Sequence, residues 1–130
     1  RDGMLYTPEM SRRSRVIELW AIMKYLGKQG IDNMVYTMFK RAKQFAEAIS
    51  AIEGFHVDND VVFNQVIVRC DSDALTEEVL QQVQTLRDCW LGGSMWHGKK
   101  VIRVSICSWA TTKEDITTAV HSFKKAKTLI

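Results

Sequence analysis

Lys99 to Asp115, KKVIRVSICSWATTKED, is the stretch whose reading decides the fold. From Val101 to Cys107 the residues alternate as in a β-strand: Ile102, Val104 and Ile106 project to one apolar face, and Val101, Arg103, Ser105 and Cys107 to the other. A strand with one apolar side is half-buried in a sheet. Directly after it, Thr112 is placed to cap a helix with its hydroxyl while Asp115, three residues on, reaches back as a capping box. The module is therefore strand, short turn, amphipathic helix.

Within that strand Arg103 needs an explanation. A guanidinium among uncharged strand residues either forks onto a carboxylate or leaves several donors without partners. One reading gives it an internal Asp or Glu. The other leaves the fork open for an acidic ligand.

Working outward, 130 residues suffice for one domain with a real core, and we expect a single domain over 1–130. Apolar residues make up 46% and charged residues 25%, as in an ordinary globular protein. No apolar run approaches the roughly 20 residues of a membrane helix, and no signal-peptide layout opens the chain, so a cytoplasmic protein without membrane contact is expected. The formal charge of +3 is a small excess. Its local clusters, Arg12-Arg13-Ser14-Arg15 and Lys124-Lys125-Ala126-Lys127, come with no nucleic-acid-reading motif, and no nucleic-acid partner is expected. Cys70, Cys89 and Cys107 are not at metal-ligand spacing and read as reduced, structural thiols, and the histidines His56, His97 and His121 are equally scattered, so no metal is expected. The chain opens on Arg1 and not on Met, from which we expect a piece of a longer protein.

Upstream, Thr7-Pro8-Glu9 is a helix-entry signal, and Val16, Leu19, Trp20, Met23 and Leu26 recur at helical spacing before Gly27. A second long helix is predicted over Ile31 to Ile52, with Met34 and Met38 as core filling. Phe55 to Val57 reads as a short strand, Val61 to Cys70 as a β-branched strand interrupted by Asn64 and Gln65, and Ala74 to Arg87 as an amphipathic helix. Cys89 to Gly98, with Trp90 and Trp96 around Gly92-Gly93, reads as a hairpin entering the strand at Val101; no Lys-Ser/Thr pair follows the glycines, which argues against a nucleotide loop. The last helix runs from Thr112 to about Lys127. The sum is an α+β fold: a small, mostly antiparallel sheet covered by helices on one face and preceded by two long helices.

Cys89-Trp90-Leu91-Gly92-Gly93, Trp96-His97-Gly98, Ile102 to Trp109, Thr111-Thr112 and Glu114-Asp115-Ile116 together resemble the C-terminal end of the group II pyridoxal-phosphate (PLP)-dependent amino-acid decarboxylases, of the aspartate aminotransferase superfamily with fold type I. Ser11-Arg12-Arg13, Glu18-Leu19-Trp20 and Tyr25 to Gly30 resemble the same family where its large cofactor-binding domain hands over to the small one, a junction that Arg12 or Arg13 would anchor. The resemblance implies the small C-terminal domain of that fold. It also implies a substrate-carboxylate-binding role for Arg103, an amino-acid substrate, a large PLP-binding domain on the same chain, and a homodimer.

A PLP enzyme needs a Schiff-base lysine, which in this family lies in a His-Lys segment of the large domain. No lysine here follows a histidine. We therefore expect no catalytic and no cofactor-binding residue in the chain, no PLP bound to it alone, and no turnover without the rest of the enzyme. Two alternatives stand beside the decarboxylase reading: the same domain of a PLP-dependent aminotransferase, or a non-enzymatic module that binds anions through its arginine.

Overall fold

The computed structural model describes residues 2–6, 14 and 16–130. The entry signal at Thr7-Pro8 and the pair Arg12-Arg13 lie outside the described residues. The chain forms two compact units, Arg1–Asn33 and Met34–Ile130.

In the first unit, a single 3-10 turn (Gly3–Tyr6) precedes the start of helix α1 (Val16–Ser50). From Val16 on, the two predicted helices run in this one element, which is broken at Gly27 by φ 62° and ψ −176°. That combination is essentially a glycine conformation, so the break sits where the sequence can adopt it without strain.

The second unit holds the sheet. Strands β1 (Phe55–Val57), β2 (Gln65–Cys70), β3 (Gly92–Trp96) and β4 (Lys99–Ser105) pair antiparallel in the order β1-β2-β4-β3. Helix α2 (Asp73–Leu86) begins at the cap Ser72, whose side chain accepts from Leu75 N; helix α3 (Lys113–Thr128) begins at Thr112 with the expected capping box. Period-two alternation divides the strands: Val66, Val68 and Cys70 of β2 and Ile102 and Val104 of β4 enter one core. Ala42, Phe45 and Ile49 of α1, Val79 and Val83 of α2, and Ile116 and Phe123 of α3 close that core from the helical side. The Phe123 ring meets Phe45 and Phe55 edge-on, at centroid distances of 5.5 and 5.7 Å, a favoured aromatic geometry.

Two boundaries differ from the sequence reading. β2 begins at Gln65, not Val61, because Val62 N donates back to Asp60 O in a turn and the Asn64 side chain donates to Ile106 O at 3.1 Å, while Asn59 bonds the edge of β2 at Gln65 O and Ile67 N. Val62 and Phe63, apolar but left out of the ladder, stand exposed. β4 begins earlier, at Lys99, because the hairpin turn is only His97-Gly98, with φ 47° and 78°. Positive φ at both central residues is the turn that matches the twist of paired strands.

Candidate functional site

The face of the sheet turned away from the helices carries His56, Arg69 and Arg103. Residues opposite one another on antiparallel strands share a face. His56 therefore lies beside Arg69, Ile67 beside Arg103 and then Gly92, and Gln65 beside Ser105. This sets two guanidinium groups, Arg69 and Arg103, on the same face of neighbouring strands.

Their circumstances differ. Arg69 Nε donates to Asp58 Oδ2 at 2.7 Å and a terminal nitrogen donates to Cys70 O at 3.2 Å; both partners of the ion pair are about four-fifths covered, with 23% and 21% of their side chains exposed. Arg103 is exposed and has neither an ion pair nor a side-chain hydrogen bond among the described residues. Its cross-strand neighbour Gly92 has no atom within 4 Å of where a Cβ would stand, so the surface beside Arg103 is open. By contrast, a Cβ on Gly93, which faces the helices, would come 2.9 Å from Leu80 Cδ2. Of the two glycines, Gly93 lets α2 approach and Gly92 leaves room next to the arginine.

His56, the third charged residue named on this face, is also engaged. His56 Nε2 and Asp71 Oδ1 lie 2.7 Å apart, and that hydrogen bond holds the Asp71 carboxyl below its ordinary range. Both partners are largely exposed, and such pairs contribute little. Sequence reasoning missed both the Arg69–Asp58 and the His56–Asp71 pairs; the hint was there in acids and bases at alternate positions of Phe55 to Asp60 and Arg69 to Asp71. Cys107, read as structural, is exposed, while Cys70 is buried.

Whether these residues suit PLP is decided by the lysines. A lysine that attacks a carbonyl must be neutral, which requires its pKa to be lowered. Lys100 lines a cleft of about 200 Å³ with Thr76, Glu77 and Leu80, but it is bonded to Glu77, which raises its pKa. Lys127 donates to Glu53 O and sits over the Phe55 ring, and Lys43 sits over Phe39. The lysine that lines the cleft, Lys100, is thus held in its charged form, which does not attack a carbonyl. Arg103, by contrast, presents an exposed guanidinium with no partner among the described residues.

No family model matches the chain. Among proteins of known activity it is 28% identical to the histidine decarboxylase of Mus musculus over 130 residues, covering 99% of the chain and 20% of that protein. It is 24% identical to tyrosine decarboxylase 2 of Arabidopsis thaliana over 124 residues, covering 89% of the chain and 23% of that protein. Among solved structures, Oryza sativa TDC with PLP and tryptamine superimposes with a TM-score of 0.89 at 18% identity, over 98% of this chain and 29% of that one. The α+β fold is thus that of the PLP-dependent decarboxylases. More narrowly, the homologues of this chain are the group II PLP-dependent amino-acid decarboxylases, and the chain spans about a fifth of the length of the first of these relatives.

Proposed function

We propose that the chain is the C-terminal small domain of a PLP-dependent amino-acid decarboxylase, in which Arg103 binds the α-carboxylate of the substrate. The observation that carries this reading is the contrast on one sheet face: Arg69 is spent on Asp58, whereas Arg103, beside the bare Gly92, keeps its fork for something outside the described residues. A guanidinium grips a carboxylate through two parallel N–H···O contacts and so fixes the plane of the group. Gripping the leaving carboxylate in the ground state does not by itself speed loss of CO2, so Arg103 acts by positioning. The same reading supplies the PLP site from a large domain of the same polypeptide and takes the enzyme as a cytoplasmic homodimer acting on an amino acid.

The test is Arg103→Lys in the holoenzyme, because an ammonium cannot reproduce the fork. A charge-assisted pair is worth about 1.5–3 kcal/mol, so kcat/KM should fall roughly 10- to 100-fold. Wild-type kinetics in that variant would return Arg103 to a structural role. Release of CO2 and amine, as opposed to an oxo acid, separates the decarboxylase from an aminotransferase.

A further inference from the structure

On the helical side of the sheet, opposite the face that carries Arg103, four cations gather where α1 meets the start of α3. Lys40, Arg41 and Lys43 of α1 and Lys113, the first residue of α3, line a cleft of about 390 Å³ together with Phe39 and Glu47. All of them belong to the unit Met34–Ile130. Against four positive groups the cleft holds one carboxylate, and among the described residues none of the four forms an ion pair. Lys40 and Lys43 instead lie over the rings of Tyr36 and Phe39, 5.6 and 5.9 Å from the centroids. Glu47 follows Lys43 by four residues, the weaker order for a helical ion pair.

Arg41 is the member that most needs a counter-charge. Its Nε is buried and meets no acceptor among the described residues, and a terminal nitrogen reaches only the neutral Gln44 Oε1, at 3.4 Å. A guanidinium that has given up water without gaining a protein acceptor is costly unless an opposite charge comes close. The helix start is not what attracts that charge: Glu114 and Asp115 already occupy the first turn of α3, and the capping box uses Thr112 N and Asp115 N. The field of the cleft is set by its side-chain cations.

We propose that this cleft binds a small phosphate-bearing polyanion. A monocarboxylate offsets a single charge, whereas a phosphate group carries about −1.5 to −2 and presents three acceptor oxygens. Lysine ammoniums meet such a group as point charges and the arginine meets it as a fork. The volume falls in the usual range for small-molecule sites, roughly 300–1,000 Å³. The proposal does not depend on the role of Arg103, and its readout is binding and not turnover.

Calorimetric titration of the full-length protein with diphosphate tests it, at constant ionic strength and with saturating PLP so that the cofactor's own phosphate site is filled. Binding should be saturable, with a Kd of about 1 mM or lower, and acetate should show none. Lys40→Gln with Lys43→Gln, all at exposed positions, should weaken diphosphate at least about tenfold, and so should Arg41→Gln with Lys113→Gln. Lys124→Gln with Lys125→Gln, at the far end of α3, should change it less than about twofold. Either cleft pair suffices if the other fails to fold. No saturable binding, as when an acidic segment of the same polypeptide fills the cleft, would overturn the proposal, and so would equal weakening by the cleft and control pairs or binding of acetate as tight as that of diphosphate. ADP in place of diphosphate distinguishes the sources of the phosphate: tighter binding supports an organic phosphate packed on Phe39, equal binding the inorganic ion.

Discussion

At Arg69 and Arg103, two residues of one type on one sheet face have different fates because a single acid, Asp58, reaches only one of them. Asp58 follows β1, which pairs with β2 and not with β4, so the strand order decides which guanidinium it meets. The thiols separate in the same way. The Cys70 sulfur is enclosed by the core, and burial pushes its pKa up, as burial and then Asp88 do for Cys89. Cys107 lies past the end of β4 and is exposed. The thiolate is the reactive species, and it must be reached by the reagent. Limited alkylation followed by mass spectrometry should therefore label Cys107 first and Cys70 last; equal labelling of the two would contradict the core described for the sheet.

Among the elements, α3 depends most visibly on a local signal. Thr112 N donates to Asp115 Oδ2 at 2.8 Å, and Asp115 N donates to Thr112 Oγ1 at 3.2 Å. The bond from the Thr112 backbone, followed by that from its hydroxyl, holds the Asp115 carboxyl below its ordinary range. A depressed carboxylate contributes stability that is complete above the unfolded-state value, about 4, and is lost as pH falls through the lower folded value. Asp115→Ala should thus lower the melting temperature at neutral pH, and the gap from wild type should close as the pH falls below about 4. A gap that stays constant through acid titration would mean that the ionised cap is not what holds the helix end. Thr112 and Asp115 were legible in the sequence because a capping box is a contact over three residues. The start of β2 was not legible. Val61 to Phe63 have strand composition, yet Val62 N donates back to Asp60 O in a turn, and only the fold brings Ile106 O to the Asn64 side chain across 42 positions.

For the whole molecule, the exposed apolar residues before Gly27, among them Ile17, Leu19, Trp20 and Met23, set the behaviour of the chain in isolation. A contiguous exposed apolar surface drives association. Light scattering on the 130-residue chain should report self-association that rises with concentration, and Trp20→Lys with Ile17→Lys should reduce it. A strictly monomeric chain at high concentration would count against that surface.

Residue order alone determined the alternation of β4, the capping of α3, the glycine break at position 27 and the α+β class, since each depends on neighbours within a few positions and on the period of the backbone. The resemblance carried by Trp90 to Gly93 and Ile102 to Asp115 pointed to the decarboxylases for the same reason, being a matter of spacing along the chain. The tertiary structure decided what lies beside Arg103. Whether a guanidinium is satisfied depends on which acid the sheet register delivers to it, and that register, with Asp58 set against Arg69 and Gly92 against Arg103, comes from strands far apart in sequence. It is a property of pairing and packing that no local pattern contains.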